Sequence, residues 1–131
     1  LGVFLDIDSV HPSDIDLSRL RSGLAQWQLY PSTPALQVAK RIASAQVVVS
    51  NKAPVSAAAI AAAPHLQLIC IAATGTNNVD LAAAGQRGIP VCNVRGYASP
   101  AVVQHVFALV LALTTRLAEH RRSAHDGTAP K

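Results

Sequence analysis

Short apolar runs alternate with alanine-rich stretches along most of the chain, and clusters of Pro, Gly, Asn and Ser separate them. The apolar runs predict strands at 3–7, 27–30, 46–49, 68–73 and 89–94. The stretches between them predict helices at 12–21, 34–44 and 56–64, and a fourth that begins at a cap on Asn77 or Asn78 and ends before Gly88. A longer helix of roughly twenty residues begins at Ser99 and runs to Arg122.

This alternation also predicts how the strands are arranged. Each connection is too long for a hairpin, so we expect parallel pairing with right-handed crossovers and helices on both faces of the sheet. The fold class is therefore α/β, with a flavodoxin-like, doubly wound sheet of five strands in the order 2-1-3-4-5. In such sheets ligands bind at the carboxyl ends of the strands. The segments predicted at that edge are 6–8, 50–53, 74–76 and 93–97.

The turn between the fourth strand and its helix is a candidate anion site. A strand that leads into a helix N-terminus exposes unpaired backbone N–H groups, and at Gly75 no side chain blocks a ligand's approach to them. Lys52, on the loop after the third strand, would add a positive charge beside those amides. An ordinary tight connection without a ligand is the alternative.

Composition and charge narrow the possible partners. A chain of 131 residues can bury a core as one domain without disulfides or a metal. Its net charge is +4, but the basic side chains form no single block. Two Tyr, two Phe and one Trp are too few for a stacking platform, so we expect no nucleic-acid partner. Basic residues gather near the C-terminal end, at Arg116, Arg121, Arg122 and Lys131.

The cysteines and the apolar segments bear on location. Cys70 and Cys92 each fall in a predicted buried strand, with no Cys or His at metal-ligand spacing, so we expect reduced core thiols and no metal site. No signal-like segment opens the chain. The apolar core of the last helix, 106–113, is far short of the roughly 20 residues that span a bilayer. These features predict a cytoplasmic protein without a membrane partner.

Asp6 and Asp8 offer a different chemistry. Their DxD spacing at the end of the first strand resembles the opening motif of haloacid-dehalogenase-type phosphatases, in which the first Asp attacks phosphorus near Mg²⁺. Ser50 and Lys52 could hold the phosphate. That chemistry needs a later acidic pair, and none follows a strand here. The alternative interpretation is that both are solvent-exposed strand-end residues.

The segments VVVSNKAPVS and LQLICIAATGTNNVDLAAAGQRGIPVCNVRGYASPAVVQHVFALVLALT closely resemble the D-isomer-specific 2-hydroxyacid dehydrogenases, nearest the glycerate dehydrogenase and hydroxypyruvate reductase branch. The resemblance covers residues 45–120. It implies that 1–98 is the N-terminal part of the substrate-binding (catalytic) domain and that 99–122 is an interdomain helix. It also implies that 123–131 is a tail and that a Rossmann nucleotide-binding domain is absent from this chain.

The resemblance further implies a reaction. Hydride would pass between NADH or NADPH and C2 of a small 2-keto acid, so that hydroxypyruvate or glyoxylate interconverts with D-glycerate or glycolate. Val106 would be a cofactor neighbour on the long helix. The residues implied to hold the substrate carboxylate, largely through backbone amides, are Asn51, Lys52, Ala53, Thr74, Gly75 and Thr76.

No catalytic residue can be assigned within the chain. Relatives carry the nucleotide loop, the substrate-binding Arg and the proton-transferring Glu-His pair beyond the matched region, and this sequence contains no GxGxxG. We therefore expect the 131-residue chain alone to be inactive and the full-length protein to be a homodimer. Besides phosphotransfer, a stand-alone α/β interaction domain that uses the 101–118 helix face is the remaining alternative.

Overall fold

A computed structural model describes residues 1–128, so the last three residues of the predicted tail, including Lys131, lie outside the described residues. The chain divides into two compact units, Leu1–Arg95 and the residues from Gly96 onward. The first unit contains the sheet, and the second contains two helices. The assignment of the units to a substrate-binding domain and an interdomain helix stays a prediction.

The first unit is built on a parallel sheet in the order β2-β1-β3-β4-β5, which confirms the predicted order. Its strands are β1 (Gly2–Phe4), β2 (Trp27–Leu29), β3 (Val47–Ser50), β4 (Leu68–Ile71) and β5 (Val91–Asn93). Its helices are α1 (Ser18–Ser22), α2 (Ala35–Ile42), α3 (Ala57–Ala61) and α4 (Leu81–Gln86). Two 3₁₀ turns, Ile7–Val10 and Pro12–Asp14, follow β1, which is therefore shorter than predicted.

The main core lies on one face of the sheet. Alternate strand residues point to opposite faces, so Val48 and Ile69 share a face and pack against α2, α3 and α4. Both side chains are fully buried. Burying an aliphatic side chain of this size contributes about 1.5 to 3 kcal/mol of transfer free energy. The helical partners in this core are Val38, Ile42, Ala59, Ile60 and Ala84.

The opposite face is less completely covered. Phe4 and Val49 form a smaller cluster there with residues of and around α1, while Cys70 is half-buried. Burial raises the pKa of the Cys70 thiol above its ordinary value, with a smaller contribution from the neighbouring Cys92. Cys92 itself is exposed, because β5 is an edge strand and the side chain is on this open face. The prediction that both cysteines are core residues is therefore wrong for Cys92.

Helices α3 and α4 each begin at a side chain that caps the first turn. Ser56 caps α3, and its hydroxyl accepts a hydrogen bond from Ala59 N at 3.3 Å. The cap of α4 is Asp80, whose carboxylate accepts from Ala83 N at 2.9 Å. The predicted cap at Asn77 or Asn78 is therefore wrong. The Asn78 side chain instead donates a hydrogen bond to the Ala53 carbonyl.

The second unit corrects the prediction of one helix over 99–122 followed by a tail. Two helices, α5 (Ser99–Thr114) and α6 (Leu117–His125), meet at a 59° bend. Arg116 stands between them with φ 50°, and the Thr115 hydroxyl donates back to the Leu111 carbonyl at 2.7 Å. The start of the predicted tail is thus helical. Within residues 1–128, no single helix meets the length and hydropathy needed to cross a membrane, and this bent pair meets them only when taken together.

Helix α5 is apolar around its circumference, and none of its side chains is buried. Such a surface is typical of a helix that another protein surface covers. Its exposed large apolar residues are Val102, Val103, Val106, Phe107, Leu109, Val110, Leu111 and Leu113.

We expect the purified chain to self-associate through this helix in a concentration-dependent way. Leu109→Glu should weaken the association at least tenfold, because a carboxylate would have to be buried at the contact. Gln104→Glu introduces the same side chain at a polar position of the same helix and is the matched control. Sedimentation velocity over a range of concentrations measures the effect. Equal association of both variants and the unsubstituted chain would contradict the prediction.

Candidate functional site

Two of the predicted binding segments leave the sheet side by side. Residues 51–53, the 51–53 loop, follow β3 directly, and residues 74–76, the 74–76 turn, follow β4 after two residues. Ser50 and Ile71 are paired in the register of these strands, and Ala72 N donates to Ser50 O at 2.9 Å. Parallel pairing therefore brings both segments to the carboxyl edge of the sheet, as predicted.

Hydrogen bonds join the 51–53 loop, and Val55 just after it, to the segment that follows the 74–76 turn. Val55 N donates to Asn78 O at 2.7 Å, and Asp80 N donates to Val55 O at 3.0 Å. The Asn78 side-chain amide also donates to Ala53 O at 3.3 Å. The two segments are thus held together by backbone and side-chain contacts, and the sequence analysis did not identify Asn78 as their link.

Asp6 occupies the amides of the 51–53 loop. Its Oδ1 accepts from Asn51 N at 2.9 Å, and its Oδ2 accepts from Lys52 N at 2.6 Å and from Ala53 N at 2.8 Å. The side chain is 5% exposed, so the prediction that Asp6 is a solvent-exposed strand-end residue is wrong. A buried carboxylate requires such donors, since an unpaired one would cost several kcal/mol.

This arrangement bears on the phosphotransfer alternative. Both carboxylate oxygens of Asp6 already accept backbone hydrogen bonds, which leaves a poor nucleophile. Asp8 is exposed in the 3₁₀ turn that follows β1. Within the part of the chain that the structure describes, no group of three or more His, Cys, Asp or Glu side chains could hold a metal ion.

Two polar side chains of the 51–53 loop have different surroundings: that of Asn51 is hydrogen-bonded within the fold, and that of Lys52 faces solvent. Asn51 Nδ2 donates to Ser9 O at 3.2 Å and to Ser9 Oγ at 3.0 Å, which ties the loop to the segment after β1. Lys52 is exposed, and among residues 1–128 no carboxylate lies within salt-bridge distance of its ammonium group. The open donor of this loop is therefore the Lys52 side chain.

The 74–76 turn presents open backbone donors instead. Among the described hydrogen bonds, none is donated by the amides of Thr74, Gly75 or Thr76. The carbonyls are used: Asn93 Nδ2 donates to Thr74 O at 2.7 Å, and Val79 N donates to Thr76 O at 3.1 Å. Gly75 is exposed, and Oδ1 of Asn77 would lie 3.1 Å from a Cβ at this position. The hydrogen bonds to the carbonyls fix the backbone of the turn. N–H groups that such a backbone leaves unpaired can bind a carboxylate.

A groove of about 470 Å³ is lined in part by the 51–53 loop. Asp6, Asp8 and Lys52 line it together with hydroxyl-bearing residues, so two carboxylates face one ammonium group. The net negative charge of these three groups disfavours the binding of a substrate carboxylate in the groove. The 74–76 turn is therefore the better anion site of the two.

Val106, the predicted cofactor neighbour, lies on α5 in the second unit and is 51% exposed. Its apolar side chain can contribute packing alone, and its role stays a prediction. The turn after β4 has a single glycine, and the sequence contains no GxGxxG motif.

Comparison with known proteins assigns this chain to a family. The model of the D-isomer specific 2-hydroxyacid dehydrogenase catalytic domain matches residues 4–124. A hydroxypyruvate reductase of Blautia hydrogenotrophica is 31% identical over 128 residues, which are 95% of this chain and 39% of that protein. A glycerate dehydrogenase of Methylorubrum extorquens is 38% identical over 91 residues, which are 70% of this chain and 29% of that protein.

The fold is shared with solved structures. A D-lactate dehydrogenase from Aquifex aeolicus, in complex with NAD and lactic acid, superposes with a TM-score of 0.71 at 17% identity, over 100% of this chain and 39% of that one. The chain spans about a third of the length of the curated relatives it matches. Because the family model matches nearly the whole chain, this protein belongs to the D-isomer specific 2-hydroxyacid dehydrogenases, within their catalytic domain.

Proposed function

We propose that this chain supplies the carboxylate-binding part of an oxidoreductase that uses NAD or NADP. The reaction interconverts small 2-keto acids, such as hydroxypyruvate or glyoxylate, with the corresponding 2-hydroxy acids, D-glycerate or the achiral glycolate. The observation that carries the proposal is the set of 74–76 amides that donate no hydrogen bond within residues 1–128, next to the loop that bears the exposed Lys52 side chain.

The chemistry assigned to this chain is binding and orientation. The amides of Gly75 and Thr76 donate to the substrate carboxylate, and Lys52 adds electrostatic attraction from the neighbouring loop. A carboxylate held at fixed donors restricts the orientation of the adjacent C2 atom, which is the atom that exchanges hydride. The bound nicotinamide supplies the hydride chemistry.

Glycolate, one of the 2-hydroxy acids named above, tests the proposal on the chain as it stands. Titration of the ¹⁵N-labelled protein should shift the amide resonances of Thr74, Gly75 and Thr76. Lys52→Met should weaken binding about three- to tenfold, since it removes one partly screened charge contact. Lys40→Met removes an exposed lysine from α2 and is the matched control.

Two outcomes would overturn this function. Glycolate at high concentration could leave the 74–76 amides unmoved, or Lys40→Met could weaken binding as much as Lys52→Met. The second result would mean that general positive charge, and not the site, attracts the anion.

A further inference from the structure

Asp6 and Asp8 lie two residues apart after the same strand, yet their surroundings differ completely. Asp8 is exposed, whereas Asp6 is buried and accepts hydrogen bonds from three consecutive backbone amides. Successive N–H groups that converge on one point form an anion-binding concavity. The chain fills this concavity with a carboxylate of its own.

The carboxyl edge therefore has two clusters of backbone donors in different states. The amides of the 51–53 loop are bonded to Asp6, whereas those of the 74–76 turn donate to no acceptor in the described part of the chain. A substrate carboxylate that approached the first cluster would have to displace a buried, covalently attached competitor. It would also meet the negative charge of that competitor.

We propose that Asp6 is a positioning residue that directs the substrate carboxylate to the 74–76 turn by occupying the amides of Asn51, Lys52 and Ala53. The same three bonds fix the backbone from which the Lys52 side chain extends. This inference rests on the proposed function, and it changes one part of the predicted clamp: the 51–53 loop contributes its lysine side chain, not its amides.

Removal of the carboxylate should create a second anion site. In Asp6→Ala the three amides lose their acceptor, and the space of the deleted group matches formate. We expect sodium formate and sodium glycolate to shift the 51–53 amide resonances of this variant at concentrations that leave them unmoved in the unsubstituted protein. Formate would also rebind at a vacated structural site, so the readout specific to a positioning role is the shift that glycolate, the substrate-like carboxylate, produces at these amides.

Asp8→Ala is the matched control, because it removes an exposed carboxylate two residues away and should keep the original pattern. Sodium chloride at equal ionic strength controls for general salt effects. The proposal is overturned if glycolate shifts the 51–53 amides of the unsubstituted protein as strongly as Gly75, or if formate leaves them unmoved in folded Asp6→Ala.

If Asp6→Ala does not fold, amide hydrogen exchange of the unsubstituted protein tests whether Asp6 occupies the 51–53 amides. The 51–53 amides should exchange at least tenfold more slowly than those of the 74–76 turn, and equal rates would overturn the proposal. Failure of the proposed function is distinguishable: glycolate would then shift neither cluster in the unsubstituted protein, while formate would still shift the 51–53 amides in Asp6→Ala.

Discussion

Asp6→Ala should lower the free energy of unfolding by about 3 kcal/mol, the largest effect expected for a single polar side chain in this fold. The substitution removes three charge-assisted hydrogen bonds of 2.6 to 2.9 Å and leaves the amides of Asn51, Lys52 and Ala53 without their acceptor. Water that enters the vacated space and relief from burying a charge offset part of the loss. Urea unfolding followed by circular dichroism measures the change.

Asp8→Ala is expected to change stability by no more than about 0.5 kcal/mol, because its carboxylate is exposed. Asp6→Asn should fall between the two, since its carboxamide keeps the shape and one acceptor oxygen but loses the charge. A loss for Asp6→Ala as small as that for Asp8→Ala would show that the three amides do not depend on this carboxylate.

Gly2→Ala should destabilise the protein by about 2 kcal/mol although it adds a single methyl group. A Cβ at Gly2 would lie 2.6 Å from Cε3 of the Trp27 ring and 2.7 Å from Cδ2 and Cζ3, so the ring must move. Gly2 is buried, and Trp27 is its partner in the parallel pairing of β1 with β2. Part of the cost is offset because the buried indole N–H has no acceptor among the described residues and could reach water in a displaced ring.

The Trp27→Leu background isolates the steric term. With the ring removed, Gly2→Ala should cost less than about 0.5 kcal/mol, and the difference between the two backgrounds is the interaction energy of the pair. Fluorescence of Trp27, the single tryptophan, should also shift in Gly2→Ala as the ring becomes more exposed. Equal costs in both backgrounds would mean that something other than the ring opposes the methyl group.

The order of the strands could be predicted because local pattern and chain connectivity were sufficient for it. Alternating apolar runs and helical stretches give the elements, and long crossovers leave few ways to arrange parallel strands. The role of Asp6 could not be predicted in the same way. A polar residue at the end of a strand normally indicates solvent, and its partners lie 45 to 47 positions away in the sequence.

In the 74–76 turn and the 51–53 loop, too, the sequence predicts the position of the segment but not its hydrogen-bond partners. Glycine and helix-capping signals placed the turn at the carboxyl edge, but which amides are already bonded depends on tertiary contacts. The break between α5 and α6 is also hidden, since Thr114 and Thr115 are compatible with a helix. Their hydroxyls bond to the carbonyls of Val110 and Leu111, and Arg116 then adopts a left-handed conformation.

The contacts that tie Asn78 to Val55 and Ala53 have a consequence for binding entropy. Because these bonds form when the chain folds, the backbone on both sides of the site is ordered before any ligand arrives. A ligand then gives up mainly its own rotational and translational freedom, and little conformational freedom of the protein is lost on association. A small acid with few atoms has little contact surface to offset such losses, so a rigid rim suits a substrate of this size better than a mobile one would.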